Sequence, residues 1–190
     1  MKHIVILASG TGTNAENIIK YFKNSSLISV TYVLSNKKEA KVLEKATRLG
    51  VANGYFDKNS FINTNKVFSI LKERADYIIL AGFLWKIPLK IIEVFPNKII
   101  NIHPALLPKY GGKGMYGMHV HNAVVKNREK ESGITIHYVN KNYDEGAIIF
   151  QKSVEVLVCD TAKDVAKKIH VLEQENFPKV IEKVILENGE

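Results

Sequence analysis

Asn101 and His103 are the two side chains whose types and spacing most directly suggest catalysis. They are two residues apart in the sequence KIINIHP, where the apolar run 98–102 predicts a strand, so both side chains are expected on one face. A histidine exchanges a proton near neutral pH, and an asparagine amide can donate to a developing oxyanion. A purely structural His–Asn hydrogen bond would give the same pattern, and the pair alone leaves both interpretations open.

Asp144 is the carboxylate that could complete this pair. It lies in the sequence YDEGA, and a carboxylate beside His103 would favour the imidazolium form and fix the orientation of the ring. Asp and Gly are also common turn residues, so the same sequence is compatible with a structural turn. The spacing does not decide between the two.

The sequence SGTGTN (residues 9–14) follows the first apolar run and precedes a helical pattern. Glycines permit a tight turn, and the following helix terminus presents N–H groups to a phosphate. The turn lacks the third glycine of dinucleotide sites and the Gly-Lys-Ser/Thr of triphosphate sites, which favours a monophosphate. A structural turn is the alternative, with Thr13 and Glu16 forming a capping box.

Two other side-chain types are weaker candidates for chemistry. His119 and His121 are spaced like a pair of metal ligands, but no further ligand stands at a suggestive spacing nearby, and no metal site is predicted. Cys159 has no histidine or basic neighbour in the sequence, which favours an inert thiol. His137 belongs to no polar cluster that the sequence reveals.

The first half of the chain must position the turn and the Asn–His pair. Short apolar runs predict strands at residues 2–8, 28–34, 51–56, 76–81 and 98–102. Helical patterns predict four helices. One begins at Thr13, two cover residues 40–49 and 60–74, and a short one lies between Pro88 and Pro96. This alternation predicts an α/β fold with a doubly wound, mostly parallel sheet, and such sheets bind ligands at the carboxyl ends of their strands.

The second half differs in character. Residues 104–118 form a glycine-rich loop of a length typical of functional loops. Residues 134–139 and 147–156 predict a strand pair that extends the sheet in antiparallel fashion. Thr161 and Asp164 open a last helix, which Pro178 is expected to kink or divide. The whole is predicted to be a single domain.

Composition narrows the possible classes of protein. The 190 residues are 46% hydrophobic and 24% charged, which excludes a disordered or collagenous chain. One cysteine excludes an intramolecular disulfide and favours a reducing compartment, and no apolar run is long enough to span a membrane. A cytoplasmic protein is therefore expected. The net charge of +8 suits an anionic small molecule. The sequence has no dense basic stretch, so binding to nucleic acid or to a membrane is not expected.

Four stretches together carry a family resemblance: LASGTGTN, AGFLWKIP, NIHPALLPKYGGKGMYG and YDEGAIIFQ. With them the chain resembles the folate-dependent formyltransferases, in the branch that acts on glycinamide ribonucleotide. The resemblance covers nearly the whole chain. It implies one formyltransferase domain over residues 1–190, with a Rossmann-like phosphate-binding half at 1–103 and a folate-binding, active-site half at 104–190.

The resemblance implies direct transfer of a formyl group from 10-formyltetrahydrofolate to the amine of glycinamide ribonucleotide, in purine biosynthesis. The transfer would pass through a tetrahedral oxyanion and need no metal. Asn101 and a protonated His103 would stabilise the oxyanion. Asp144 would hold His103 charged and place a water that relays the proton.

The resemblance also implies where the two small-molecule substrates bind. Glycinamide ribonucleotide is expected at Gly12, Thr13, Asn14 and Glu173. Folate is expected at Phe83, Leu84, Trp85, Lys86, Ile87, Asn101, Val139, Asn140 and Tyr143. Trp85-Lys86 replaces a family arginine, which leaves Lys86 as the candidate for the glutamate tail of folate. The protein is expected to be a monomer or a homodimer.

Three alternatives share parts of this pattern. A formyltransferase acting on methionyl-tRNA would be expected to carry a further C-terminal domain, whereas this chain ends at Glu190. A formyltetrahydrofolate hydrolase would be expected to carry an additional N-terminal domain. A non-catalytic nucleotide-binding module would tolerate replacement of His103.

Overall fold

A computed structural model describes residues 1–187, so the predicted domain 1–190 ends beyond the described residues. The chain divides into two compact units. The first comprises Met1–Ile100 together with the chain from Ile181 onward, and the second comprises Asn101–Val180. The division into a phosphate-binding half that ends at residue 103 and a folate-binding half that begins at residue 104 stays a prediction.

Four strands of the first unit form its parallel sheet: β1 (Lys2–Leu7), β2 (Ile28–Ser35), β3 (Asn53–Tyr55) and β4 (Tyr77–Leu80). Strand β1 pairs in parallel with β2 and with β4, and β2 pairs in parallel with β3. The last four residues of β1 are fully buried, as expected for a parallel strand covered on both faces. The carboxyl ends of these strands therefore lie along one edge of the sheet.

Five helices connect these strands: α1 (Thr13–Phe22), α2 (Lys41–Arg48), α3 (Lys58–Ile62), α4 (Lys66–Arg74) and α5 (Leu89–Val94). The single helix predicted over residues 60–74 is wrong, because α3 ends before α4 begins. The N–H groups of Asn63 and Thr64 both donate to the carbonyl of Asn59, at 2.9 and 3.1 Å. This tight turn closes α3.

The second unit begins inside β5 (Ile99–His103), so the chain passes from one unit to the other within this strand. It continues with α6 (Met118–Lys126), β6 (Glu131–Tyr138), β7 (Ile148–Glu155) and α7 (Ala162–Glu187). Strands β6 and β7 are antiparallel, with Glu131 opposite Glu155. Helix α6 was not predicted. Helix α7 is continuous through Pro178, so the predicted division there is wrong.

The predicted start of the last helix at Thr161 and Asp164 is confirmed, whereas the capping box predicted at Thr13 and Glu16 is wrong. The Thr161 N–H donates to Asp164 Oδ2 at 3.1 Å, and the Asp164 N–H donates to Thr161 Oγ1 at 3.3 Å. At α1 the N-cap is Gly12, with no side-chain cap. Glu16 instead pairs with Lys20 at 2.8 Å and Lys45 at 2.7 Å, and these lysines lower the pKa of Glu16 to about 2.

The predicted fold class is confirmed. Hydrogen bonds join the seven strands in the order β3-β2-β1-β4-β5-β6-β7, mostly parallel with an antiparallel extension. Within residues 1–187, no helix combines the length and the apolar character needed to cross a bilayer.

Gly12→Ala should destabilise the protein, because α2 packs directly on the backbone at Gly12. A Cβ there would lie 2.5 Å from Val42 Cβ and 2.8 Å from Val42 Cα, and the φ of Gly12 is +71°. We expect the free energy of unfolding, measured by urea denaturation, to fall by about 1–3 kcal/mol. Gly10→Ala is the control, since nothing lies within 4 Å of its added Cβ. Equal stability of the two variants would contradict the expectation.

Candidate active site

Asn101 and His103 both point toward one polar cluster of the second unit. Asn101 Nδ2 lies 3.0 Å from His137 Nε2 on β6. His103, only 3% exposed, lies with its Nδ1 3.6 Å from Asp144 Oδ2. The alternation of side chains along β5 therefore places both residues toward the same neighbours, as predicted.

Asp144 reaches the cluster from the turn between β6 and β7. Its φ is +55°, an unusual backbone conformation for a residue other than glycine. The carboxylate accepts from the Gly112 N–H at 2.9 Å. The next glycine, Gly146, lies so close to the Tyr138 carbonyl that any side chain there would collide with it. Close packing of the turn against β6 thus aims the Asp144 side chain at His103.

His137 is a member of the cluster that sequence reasoning missed. It is almost fully buried, and its Nε2 lies 3.6 Å from Asp144 Oδ1 as well as 3.0 Å from Asn101. The sequence offered one clue to the direction of the His137 side chain. His137 stands two residues beyond Thr135 on β6, so the two side chains share a face of the strand. An isolated histidine in an apolar strand gave no reason to connect it with Asn101 across the sheet.

The carbonyl partners of the two histidines define where their protons lie. His103 Nε2 lies 2.7 Å from the Tyr110 carbonyl, and His137 Nδ1 lies 2.8 Å from the Tyr138 carbonyl. A carbonyl only accepts, so each of these ring nitrogens carries a proton and donates it. In neutral rings, His103 Nδ1 and His137 Nε2 are then acceptors. Asn101 can donate one amide N–H to His137 and keep its second N–H for another partner.

Burial lowers the pKa of His103 below its usual 6.5. The Asp144 carboxylate and the Tyr110 carbonyl act in the opposite direction, but burial is the largest effect. The imidazole therefore favours the neutral form at neutral pH. The expected protonated His103 is not the form favoured by this arrangement.

Asp144 keeps its charge in the same surroundings. Burial, the largest effect, raises the pKa of Asp144, but His137, His103 and the Gly112 N–H together bring it below its usual 3.8. The carboxylate is therefore ionised at neutral pH, with 13% of its side chain exposed. The cluster pairs a buried anion with a neutral imidazole whose basic nitrogen faces it.

The loop at residues 104–117 supplies backbone groups to the cluster. Its Tyr110 carbonyl holds His103, and its Gly112 N–H holds Asp144. The tip of Tyr110 is itself held, since its hydroxyl donates to Glu129 Oε1 at 2.9 Å. Lys109 pairs with Glu129 at 3.2 Å. The glycine-rich loop that was expected to be functional thus carries two of the contacts that define the site.

The negative charge of Glu173, on α7, acts on two buried histidines of the second unit. Burial lowers the pKa of both His103 and His121, and the Glu173 carboxylate acts in the opposite direction on both with a smaller effect. His121 is 5% exposed, its Nδ1 has no hydrogen-bond partner within the described residues, and burial lowers its pKa. His170 Nδ1 lies 3.7 Å from the Glu173 carboxylate. The predicted ribonucleotide residue Glu173 therefore belongs to the same unit and the same electrostatic environment as His103.

Of the folate residues predicted in the second unit, Asn101 lies on β5, and Val139, Asn140 and Tyr143 lie in the segment between β6 and β7 that carries Asp144. The Asn142 N–H donates to Asn140 Oδ1 at 2.8 Å, and Asn140 Nδ2 donates to the Glu145 carbonyl at 3.1 Å. Val139 is half-buried, and Tyr143 is exposed. These hydrogen bonds fix the backbone of the turn that carries Asp144.

The remaining predicted residues belong to the first unit. Gly12, Thr13 and Asn14 lie at the start of α1. Phe83 and Trp85 pack with Phe56 and Phe61, at centroid distances of 5.6–6.1 Å. The other three are a half-buried Leu84, an exposed Lys86 and a buried Ile87.

No group of three or more His, Cys, Asp or Glu side chains in the part of the chain described here is arranged to hold a metal ion. The spacing of His119 and His121 along α6 is therefore not accompanied by a third such ligand among residues 1–187.

Comparisons with known proteins show which family this chain resembles in sequence. A model of the formyl transferase family matches residues 2–181. The phosphoribosylglycinamide formyltransferase of Bacillus subtilis is 32% identical over 191 residues, covering 97% of this chain and 95% of that protein. The chloroplastic enzyme of Arabidopsis thaliana is 35% identical over 95% of this chain. The chain spans only 64% of that plant protein.

Solved structures agree with the sequence comparisons. The crystal structure of phosphoribosylglycinamide formyltransferase from Bacillus halodurans is similar with a TM-score of 0.87 at 31% identity, covering 97% of this chain and 95% of that one. The crystal structure of glycinamide ribonucleotide transformylase 1 from Symbiobacterium toebii is similar with a TM-score of 0.85 at 31% identity, covering 95% of this chain and 86% of that one.

The burial of His103 predicts that the protein loses stability on acidification. An unfolded His103 takes up a proton near pH 6.5, whereas the folded protein keeps it neutral to a lower pH. The unfolded chain therefore binds the proton first, and stability falls as the pH drops below 6.5 toward the folded-state pKa. His121 acts in the same direction.

His103→Asn should therefore lose less stability than the wild type between pH 7 and pH 5. Urea denaturation at the two pH values measures the difference. His119→Asn is the control, because His119 is an exposed histidine of α6. An equal loss in wild type and His103→Asn would contradict the assigned burial effect.

Proposed function

The chain belongs to the formyl transferase family, and we propose that it transfers the formyl group of 10-formyltetrahydrofolate to the amine of glycinamide ribonucleotide. The observation that carries the proposal is the convergence of Asn101, His103 and Asp144 in a chain that this family matches over nearly its whole length. Relatives named for this reaction in bacteria and plants support the substrate. Formylation of this ribonucleotide would be a step of purine biosynthesis.

The reaction balances as a direct transfer. The amine nitrogen attacks the formyl carbon, a new C–N bond forms, and the carbonyl oxygen becomes an oxyanion. The bond from the formyl carbon to N10 of the folate then breaks. One proton must leave the amine and one must reach N10, so the site needs an oxyanion donor and a group that carries a proton.

Asn101 is the proposed oxyanion donor. Its amide gives one N–H to His137 Nε2, which fixes the orientation of the amide and leaves the second N–H for the oxyanion. Removal of one such donor typically lowers kcat by about 100- to 1000-fold. His137 acts through Asn101 and is a positioning residue.

His103 and Asp144 are the proposed proton carriers. His103 holds its Nε2 proton on the Tyr110 carbonyl, so Nδ1 is the basic nitrogen and faces the Asp144 carboxylate at 3.6 Å. As the amine attacks, Nδ1 can accept its proton, because the nearby carboxylate stabilises the imidazolium that results. The same proton then reaches N10, directly or through a water held by Asp144.

The turn at the start of α1 is the proposed phosphate site. Gly12 is the N-cap in a left-handed conformation, and α1 has no side-chain cap. The acidic residue of the first turn, Glu16, is bonded to Lys20 and Lys45 and does not cap the helix. A phosphate on Gly12, Thr13 and Asn14 would therefore meet a positive helix end. Glu173 is proposed to contact the same substrate.

The proposed folate contacts come from two segments. In the first unit they are Phe83, Leu84, Trp85, Lys86 and Ile87. In the second unit they are Asn101, Val139, Asn140 and Tyr143. Ile87 is buried, so it supports its segment from within the first unit. Lys86 is exposed and stays the candidate for the glutamate tail.

We also propose a cytoplasmic location and a monomer or homodimer. The exposed free thiol of Cys159 is compatible with a reducing compartment. The plant relatives are named as chloroplastic proteins. The cytoplasmic location is therefore proposed for this chain and not for those relatives.

An assay of acceptors tests the substrate directly. Purified protein is incubated with 10-formyltetrahydrofolate and, in turn, glycinamide ribonucleotide, methionyl-tRNA or water. We expect the ribonucleotide to be formylated with a kcat/KM more than about 100-fold above that of methionyl-tRNA. Faster formylation of the tRNA, or release of formate at the rate of ribonucleotide formylation, would reject the proposal.

Asp144→Asn and His103→Asn should each lower kcat by about 100- to 10,000-fold, because both remove the proton carrier. Substrate affinity should change little, since neither variant alters the turn at Gly12. Glu145→Gln is the matched control for Asp144, because Glu145 is the next residue in the same turn and bonds only within it, to Asn142 at 2.7 Å, among the contacts described. Full activity of a purified His103→Asn protein would refute the assigned role.

A further inference from the structure

The side chain of Ser9 connects three loops of the first unit. Ser9 follows β1 and is 2% exposed. Its hydroxyl donates to Asn36 Oδ1 at 2.7 Å, just beyond the end of β2. The same oxygen accepts from the Leu84 N–H at 3.0 Å, beyond the end of β4. One buried hydroxyl at the end of β1 is thus bonded to the loops that follow β2 and β4, the two strands on either side of β1.

The loop after β4 is bonded to Ser9 twice. Besides the Leu84 bond, the Ser9 N–H donates to the Gly82 carbonyl at 3.0 Å. Two bonds from one residue fix both the position and the direction of the chain between Gly82 and Leu84. That chain leads directly into the segment from Phe83 to Ile87, where folate contacts are proposed.

Ser9 also opens the turn proposed for phosphate. The next residue, Gly10, accepts the Val42 N–H on its carbonyl at 3.3 Å. Gly12, at the end of the turn, packs against the same valine. The turn is therefore held by α2 on one side and connected through Ser9 to the loop after β4 on the other.

We propose that Ser9 is a positioning residue that couples the phosphate turn to the segment from Phe83 to Ile87, so that ribonucleotide bound at the turn changes the environment of Trp85. The inference rests on the proposed function, because it takes the ribonucleotide to bind at this turn. Its physical basis is that the Ser9 hydroxyl donates and accepts at the same time. Alanine removes both bonds and leaves two half-buried or buried polar groups without this partner.

Trp85 provides a built-in reporter. It is the one tryptophan in the sequence, and it follows Leu84 directly. Its ring lies 6.0 Å from Phe56, 6.0 Å from Phe61 and 6.4 Å from Phe83, measured between centroids. A shift of the backbone at Leu84 alters this packing and hence the tryptophan emission.

The test is a titration of glycinamide ribonucleotide into the protein of residues 1–190, followed by calorimetry and by tryptophan emission in parallel. We expect wild type to show both binding heat and a change in emission. Ser9→Ala should still bind, with affinity weaker by about tenfold, and should lose the emission change. Ser69→Ala is the control, because Ser69 is an exposed serine on α4, and it should behave as wild type.

A merely structural role is distinguished by rescue and by a second variant. Ser9→Thr keeps the hydroxyl and should restore the emission change. Should Ser9→Ala not fold, Asn36→Ala provides the test, since it removes the acceptor that orients the Ser9 hydroxyl, and it should reduce the emission change.

The contrary outcomes are separable. An unchanged emission response in Ser9→Ala or Asn36→Ala, or wild-type binding heat with no emission response, overturns the coupling and leaves the proposed function intact. Absence of binding heat in wild type overturns the proposed function and the coupling with it.

Discussion

Asp144 holds a negative charge where only 13% of its side chain meets solvent, and the surrounding cluster is arranged around that charge. Burial opposes ionisation, but the Gly112 N–H donates to the carboxylate at 2.9 Å, and the positive charge that His103 and His137 carry when protonated also acts to lower its pKa. These partners come from β5, β6 and the loop between β5 and α6. The ionised carboxylate therefore depends on three segments, and its position in turn orients the two imidazoles.

The electrostatic balance of the site is asymmetric, and this asymmetry suits proton transfer. The carboxylate stays charged, while burial keeps His103 neutral with its Nε2 proton on the Tyr110 carbonyl. A neutral imidazole beside an anion is a base whose protonated form is stabilised at the moment it appears. Since main-chain groups of Tyr110 and Gly112 make the fixing bonds, the geometry depends on the path of the loop more than on its side chains.

Much of the fold was predictable because its signals are local. Strands β1 and β4 appear in the sequence as apolar runs, because a parallel strand covered on both faces has few polar positions. The start of the last helix at Thr161 and Asp164 was predictable as well, because the two residues are three apart and bond to each other. Glu16 shows the limit of such local rules, because Lys45 on α2 competes for its carboxylate and leaves α1 without a side-chain cap. Likewise, residues 60–74 have one helical pattern, but local backbone bonds to Asn59 end α3 early.

The sequence by itself determined the two side chains whose relation is local: Asn101 and His103 share a face because side chains alternate along a strand. It also provided a carboxylate in a turn, but not its partner. Only the tertiary structure brought Asp144 beside His103, and only it added His137, because these contacts join residues far apart in the chain. Protonation was decided there as well: which nitrogen holds a proton depends on the carbonyl that it meets, and whether a ring is charged depends on how much water the packing removes.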